Sequence, residues 1–273
     1  MKNQFYAAYG EDKRNAWKEY YTYGGMPVVL SRKTHEGKGK YLRDLIAKTY
    51  IADVVERHRI LNEKEVLEEL LNTVASSVGS LTNPTKLSKT FRSAKNMKIS
   101  SATINNYLDY FVDAFIISKS YRYDVKGKKY IDTPLKYYFS DVGLRNAWLN
   151  FRQQEENHIM ENVIYNELAA RAFSVDVGVV EYNYKNHEGK SQRSQLEVDF
   201  IANKNSRRYY IQSALSISED EKRKQKTNSL YRIDDSFKKI VVVKDDIIPW
   251  HDEKGVQYIG IEQFLLNEAA MDL

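Results

Sequence analysis

The spacing of apolar and polar positions divides this chain into a helical first part and a second half in which helices and strands alternate. Between 12 and 117 the apolar residues recur mainly every three or four positions, which predicts amphipathic helices. In the segment 40–60 this apolar stripe consists of Leu42, Leu45, Ile46, Ile51, Val54 and Val55. The first 60 residues have no strand-rich core of their own. We therefore expect them to be helices that pack against something else.

The pattern between 63 and 132 predicts three helices followed by a β-hairpin. The helices are predicted at 63–79, 83–96 and 100–117, with Ser100 or Ser101 as the N-cap of the third. Strand-like runs at 116–124 and 128–132 then meet across a basic turn. This is the order of a winged helix, in which the third helix enters the major groove and the hairpin is the wing.

Polar and basic side chains of this helix and turn are candidates for nucleic-acid binding, because they can contact base edges or phosphates. The candidates are Ser101, Thr103, Asn105 and Asn106 on the helix and Lys126 and Lys128 in the turn. The alternative is a winged helix that binds protein or only braces its neighbours. Asp109 and Asp113 on the same helix disfavour close phosphate contact.

Helices and strands alternate between 153 and 265. Helices are predicted at 156–173, 218–233 and 261–268, and strands at 179–185, 196–202, 209–215 and 238–244. The order helix, three strands, helix, strand indicates an α/β arrangement with a mixed sheet. The whole chain is therefore predicted to be α+β, with an N-terminal helical and winged-helix part followed by an α/β domain.

Two of the predicted strands carry the best candidates for catalysis. Alternation with period two puts Glu197, Asp199 and Ile201 on one face of the first strand, and the next strand carries Gln212. If the strands are neighbours, Asp199 and Gln212 can lie side by side, and the preceding helix could bring Glu161 to the same edge. Two carboxylates and an amide oxygen suit Mg²⁺, which could position water and stabilise a pentacoordinate phosphate. Alternatively, the acids are solvated or ion-paired and the glutamine is a buried hydrogen-bonding residue.

Composition limits the chemistry further. The 273 residues include no cysteine, which excludes disulfides, thiolate zinc sites and thiol nucleophiles. There are 42 Lys and Arg against 37 Asp and Glu, a formal charge of +5 that permits nucleic-acid binding without demanding it. No window approaches the ~18 consecutive apolar residues that span a bilayer, and the N-terminus lacks the apolar core of a signal peptide. We therefore expect a cytoplasmic protein without membrane contact.

Seven segments, spread over about residues 20 to 265, carry a resemblance. They are YGGMPVVL (23–30), IADVVERHRI (51–60), SSATINNYLDYFVDAFII (100–117), KYYFSDVGLRNAW (136–148), ENVIYNEL (161–168), LEVDFIA (196–202) and YYIQSALS (209–216). In this order they resemble the C-terminal region of prokaryotic AAA-type ATPases, a region known as a domain of unknown function. The resemblance implies a helical lead-in over 1–62 that packs on an ATPase module. It also implies a winged helix over 63–150 and a PD-(D/E)XK nuclease-like domain over 151–273. No G-x-x-x-x-G-K-[ST] occurs, so we expect no ATP site in this chain and an ATPase module upstream of it in intact relatives.

The resemblance also assigns roles to single residues. Glu161 takes the place of the helix acid, Asp199 of the strand aspartate and Gln212 of the second-strand acid. Glu161 and Asp199 would hold Mg²⁺, with Glu197 as a possible further ligand. This sequence departs from the pattern in two ways: Gln212 is neutral, and the usual catalytic lysine is Ala214, which cannot orient or activate a water.

A lysine on the following helix could replace the missing one, and the candidates there are Lys222, Lys224 and Lys226. Lys185 and Lys190, in the loop before the strands, are further candidates. The alternative is a solvated helix with ion pairs four residues apart. Because losing an activating group typically costs about 10²–10⁴-fold in rate, we rank cleavage last. The first hypothesis is a module that binds nucleic acid or a partner through a degenerate nuclease-like domain. The second is an ATPase accessory domain with only a protein partner, and the third is an active Mg²⁺-dependent DNA endonuclease.

Overall fold

The computed structural model describes residues 2–10, 12–60, 64–153, 155–186 and 188–272, without the side chains of 2–5, 220 and 222. The protein is α+β. Its helices are α1 Lys2–Tyr9, α2 Lys13–Tyr23, α3 Pro27–Ser31, α4 His35–Leu45, α5 Ala52–Arg57, α6 Lys64–Ser76, α7 Pro84–Lys95, α8 Ser101–Asp113, α9 Val142–Trp148, α10 Glu156–Ala170, α11 Asp220–Thr227 and α12 Ile261–Leu266. Its strands are β1 Ile117–Asp124, β2 Lys129–Phe139, β3 Ser174–Lys185, β4 Ser191–Lys204, β5 Arg207–Ala214, β6 Lys238–Val243, β7 Trp250–His251 and β8 Val256–Gly260.

The chain forms two compact units. The first contains residues 1–119 and 133–163, and the second contains 120–132 and 164–273. The segments 1–62 and 63–119 thus fall in one unit, and the tip of the β1–β2 hairpin is grouped with the sheet-forming residues after 164. The three-domain division remains a prediction from the resemblance.

The helices of the first unit follow the apolar periodicity. The stripe at 40–60 becomes α4 and α5, joined by a π-helical segment at Ile46–Ile51. The predicted group of three helices corresponds to α6, α7 and α8. Ser100 is confirmed as the N-cap of α8, because its side-chain oxygen accepts the backbone N–H of Thr103 at 3.0 Å.

Two glycine-containing segments of the first unit cross in close contact. The buried Asp141 caps α9 by accepting the N–H of Leu144 at 3.0 Å, and it also accepts the N–H of Gly25 at 2.7 Å. A Cβ on Gly143 would lie only 1.9 Å from the carbonyl oxygen of Tyr23. The segments YGGMPVVL and KYYFSDVGLRNAW are therefore held together by the Asp141 carboxylate and by a close backbone approach, and only glycine fits at 143.

Arg145, which follows this crossing, is a structural residue. Its side chain is 1% exposed; Nε donates to the carbonyl oxygen of Ala75 at 2.9 Å and Nη1 to Oδ1 of Asn146 at 2.9 Å. Nη1 also donates to the carbonyl of Gln153. Burial lowers the pKa of the guanidinium to about 10, although the nearby charge of Glu155 opposes this shift. These contacts direct the cation to backbone oxygens inside the unit.

The described strands form one eight-stranded mixed sheet in the order β2-β1-β3-β4-β5-β6-β8-β7. Within the second unit β3–β4, β4–β5 and β7–β8 are antiparallel, whereas β1–β3, β5–β6 and β6–β8 are parallel. The predicted mixed sheet is confirmed. Our prediction lacked β7 and β8, because β7 has only two residues and β8 is buried along its whole length, so that neither shows alternation.

A β-bulge interrupts β4 where the candidate aspartate lies. The register of β3 with β4 shifts by one residue, and the extra residue is in β4 at 199–200. Val198 and Ile201 consequently belong to the same hydrophobic core cluster although they are three positions apart. The prediction that Glu197, Asp199 and Ile201 share one face is therefore wrong, since the bulge reverses the alternation between 198 and 201.

Candidate functional site

Asp199 holds β4 to β5 just beyond the point where their backbone pairing ends. Its Oδ2 accepts the backbone N–H of Ser213 at 2.8 Å, and both residues are buried. Lys226 Nζ lies 3.8 Å from the same oxygen, and its side chain is 42% exposed. Lys226 therefore lies beside the aspartate, and its role as a substitute lysine stays a prediction. The side chain of Lys222 is outside the described residues.

Gln212 is also engaged with its own framework. Its Nε2 donates to the carbonyl oxygen of Glu197 at 2.9 Å and to the hydroxyl oxygen of Ser229 at 2.7 Å. The residue is 4% exposed, so these bonds satisfy an amide that would otherwise be costly to bury. Ala214, at the lysine position of the pattern, is buried in the core cluster. The strands thus bring Asp199 and Gln212 together, as predicted, in an arrangement of hydrogen bonds within the sheet.

Glu161 is ion-paired within the first unit. Its Oε1 accepts from Lys136 Nζ at 3.0 Å and from the Tyr138 hydroxyl at 2.7 Å. The side chains of this pair are only 4% and 13% exposed. Asp199 belongs to the second unit. Among the residues that the structure describes, no three His, Asp or Glu side chains form a group that could hold a metal ion. The Mg²⁺ site of Glu161, Asp199 and Glu197 stays a prediction.

Helix α8 presents two of its four candidate residues fully to solvent. Asn105 and Asn106 are exposed, whereas Ser101 and Thr103 are half-buried. The Thr103 hydroxyl lies 2.9 Å from that of Ser100, within the N-terminal cap of the helix. Of the four candidates, Asn105 and Asn106 are therefore the best placed to meet an external ligand.

Helix α7, which packs against α8, adds a cationic surface that our sequence reasoning did not use. Its exposed basic residues, together with one just beyond its end, are Lys86, Lys89, Arg92, Lys95 and Lys98. Lys95 pairs with Glu69 at 2.5 Å. The sequence itself indicates a positively charged surface here, because no Asp or Glu occurs between Glu69 and Asp109. Asp109, which we expected to repel phosphate, is itself paired with Lys119.

The hairpin turn of the second unit holds its two lysines on a tightly bonded backbone. Asp124 Oδ1 accepts the N–H groups of Lys126 at 3.1 Å and Gly127 at 2.9 Å. A Cβ on Gly127 would lie 2.3 Å from the Asp124 carboxylate, so a side chain there would displace this carboxylate. Lys126 and Lys128 are exposed on this turn, which makes them accessible to an anionic ligand.

The fold and these contacts define an α+β protein with a large mixed sheet and a basic helical surface. Residues 14–155, a little over half of the chain, match the family model described as Domain of unknown function (DUF8612), and the chain belongs to this family. Within the described residues, no helix has the length and apolar character that crossing a membrane requires.

Uncharacterized prokaryotic proteins are among its relatives. An uncharacterized protein of Haemophilus influenzae is 31% identical over 226 residues, covering 83% of this chain and 52% of the relative. Uncharacterized protein MJ1544 of Methanocaldococcus jannaschii is 32% identical over 174 residues, covering 62% of this chain and 37% of the relative. The chain thus spans about half or less of the length of these relatives. The crystal structure of protein VC1899 from Vibrio cholerae is matched over 88% of this chain and 54% of that protein's chain, at 13% sequence identity and a TM-score of 0.26.

Proposed function

We propose that this chain is a nucleic-acid-binding module whose nuclease-like strands act as a scaffold and do not cut. The observation that carries the proposal is the cationic surface of α7 beside the exposed Asn105 and Asn106 of α8. Cations that neutralise phosphates give affinity, and asparagine side chains can bind base edges. In this proposal α6 to α8 are the helices of a winged helix, with α8 in the major groove.

The order of elements in the second part of the chain supports a PD-(D/E)XK-like interpretation. Helix α10 is followed by β3, β4 and β5 in antiparallel succession, and α11 then leads to β6, which runs parallel to β5. In this proposal the chain corresponds to the C-terminal region of a cytoplasmic AAA-type ATPase, and the relatives' greater length leaves room for further modules.

The side chains of the candidate site favour a scaffold over a reaction. Gln212 donates within the sheet, Asp199 accepts from a backbone N–H, and Ala214 supplies no charge at the lysine position. The alternative, an Mg²⁺-dependent nuclease, is favoured by one observation, the 3.8 Å approach of Lys226 to Asp199. A lysine beside a metal-binding carboxylate could orient the attacking water.

Binding is tested by fluorescence anisotropy with a labelled 20-base-pair duplex between 50 and 200 mM salt. If α7 and its flank neutralise three phosphates, log K should fall with log salt with a slope of about −2.7. Changing Lys86 and Lys89 to glutamine should reduce the slope by about 1.8, whereas Lys40→Gln, an exposed lysine paired with Asp44 on α4, is the matched control. Absence of duplex binding at 50 mM salt would refute this function.

Cleavage is tested separately with supercoiled plasmid and Mg²⁺ or Mn²⁺. We expect the plasmid to stay intact at high protein concentration. Nicking that disappears in both Asp199→Ala and Lys226→Ala would replace the scaffold proposal with the nuclease alternative. Nicking that persists in both variants would indicate a contaminating enzyme.

A further inference from the structure

A groove in the second unit lies between α11 and the β7–β8 turn. Two cavities of about 400 and 530 Å³ share Arg223, Tyr231 and Lys254 as lining residues, so they adjoin at these side chains. The turn residues 250–254 complete the first cavity, and residues of α11 and its C-terminal end complete the second. No residue of the basic α7 surface or of the Asp199 and Gln212 pair is among these lining residues.

The α11 end of the groove is cationic. Arg223, Lys224 and Lys254 line it, and its described lining residues include no Asp or Glu. Lys254 Nζ lies 4.1 Å from the centre of the Tyr231 ring, which places the charge over an aromatic face. Three cations on one side of a concave surface produce a positive potential that attracts anionic ligands.

The carboxylate of Asp252, in the other cavity, is already satisfied by its own turn. Its Oδ2 accepts from the hydroxyls of Tyr231 at 2.5 Å and Tyr258 at 3.3 Å. Its Oδ1 accepts the N–H groups of Lys254 and Val256, each at 2.9 Å. Burial alone would raise the pKa of Asp252, but these hydrogen bonds together hold it below the ordinary value. These four donors therefore hold the ionised carboxylate in place within its own turn.

Trp250 supplies a flat apolar surface in the cavity that Asp252 also lines. Its ring stacks on Tyr258 with the centroids 4.1 Å apart and an interplanar angle of 3°, and the residue is 36% exposed. Because one face lies against Tyr258, the ring is held in a fixed orientation at the cavity. Asp252 and Glu253 are the acids that line this cavity, and Arg223, Lys224 and Lys254 are the cations of the groove, so its described lining residues carry one more positive than negative charge.

We propose that this groove binds single-stranded nucleic acid, with a base stacked on Trp250 and the adjoining phosphates on Arg223, Lys224 and Lys254. Aromatic platforms beside cationic grooves bind single strands because every base has a π-face and every linkage a negative charge. An acidic peptide would use the cations but would give the fixed Trp250 ring no partner. The inference rests on the proposed nucleic-acid-binding function and adds a second, single-strand site to it.

The test measures binding of a labelled dT15 oligonucleotide to the full chain by fluorescence anisotropy at 50 mM salt. Trp250→Ala should weaken binding about 10-fold, and Trp250→Phe should keep most of the affinity, because a phenyl ring still stacks. Each phosphate contact on a single strand contributes about 0.7 to the slope of log K against log salt. Changing Arg223 and Lys254 to glutamine removes two such contacts and should therefore reduce the slope by about 1.4. Lys190→Gln, an exposed lysine that lines neither cavity, should bind like the native chain.

Trp250→Ala also removes the stack on Tyr258, so each variant's thermal midpoint is measured beside its affinity. The Arg223 and Lys254 variant keeps the aromatic pair, and its thermal midpoint shows whether the loss of these two cations also changes stability. If dT15 binds the native chain and all groove variants equally, the groove inference is overturned and the duplex-binding function stands. If neither duplex nor dT15 binds, both are overturned. Competition by polyglutamate as effective as that by unlabelled dT15 at equal charge would assign the groove to anions in general and overturn the inference.

Discussion

Replacing Asp199 with alanine tests whether this carboxylate is structural. In the native protein its Oδ2 accepts the buried N–H of Ser213 at 2.8 Å. The variant leaves that N–H without its acceptor, which costs about 1–3 kcal/mol. The ion pair with Lys226 adds little, because its atoms are 3.8 Å apart and the lysine side chain is 42% exposed. We therefore expect the free energy of unfolding to fall by roughly 2 kcal/mol.

The assay combines urea unfolding, followed by far-UV circular dichroism, with hydrogen exchange at the Ser213 amide. Asp199→Asn keeps an acceptor oxygen and should lose less than about 1 kcal/mol, and Lys226→Ala should lose less than about 0.5 kcal/mol. Exchange at Ser213 should accelerate about tenfold for each 1.4 kcal/mol lost. Equal stability and equal exchange in Asp199→Ala and the native protein would refute the structural role.

Two more predictions concern the stability of variants in the first unit. Gly143→Ala should lower the free energy of unfolding by more than about 2 kcal/mol, because its Cβ would meet the Tyr23 carbonyl oxygen at 1.9 Å. Gly25→Ala, whose Cβ has its nearest neighbour at 3.4 Å, should cost under about 1 kcal/mol; equal thermal midpoints for the two variants would contradict this. Burial, and then the charge of Glu19, raises the pKa of Tyr23 to about 12 from its ordinary 10.0. The unfolded chain therefore releases this proton first, so the stabilisation is complete below pH 10 and is lost as the pH rises towards 12. In Tyr23→Phe the free energy of unfolding, measured with urea at each pH, should fall less steeply between pH 10 and pH 12. The same pH dependence in the variant and the native protein would contradict this prediction.

Features that depend on neighbours in the sequence were predictable. Helices α6 to α8 follow from apolar spacing, and the caps by Ser100 and Asp141 follow from side chains that bond within three residues. The cationic character of α7 was equally accessible, since it lies in a stretch without acids from 70 to 108.

Features that depend on distant residues were not predictable. Spacing brought Asp199 and Gln212 to neighbouring strands, but their hydrogen bonds depend on the positions of Ser213 and Ser229. The bulge at 199–200 exists because β4 carries one more residue than β3 over this stretch. The alternation of apolar and polar residues within β4 alone does not show this difference. The groove joins residues 223–231 to a turn at 250–254 and depends on the parallel placement of β6 and β8.

The parallel pairing of β1 with β3 has a consequence for gene rearrangements that would divide this chain. Arg122, Tyr123 and Asp124 pair with residues 177–179, which lie beyond the stretch 14–155 that matches the family. A gene rearrangement that moved residues 14–155 alone would carry β1 away from its sheet and expose an unpaired strand edge, a hazard for aggregation. A fusion that began at 150 would leave β3 without this neighbour. Exchange between genes is therefore expected to preserve both stretches together.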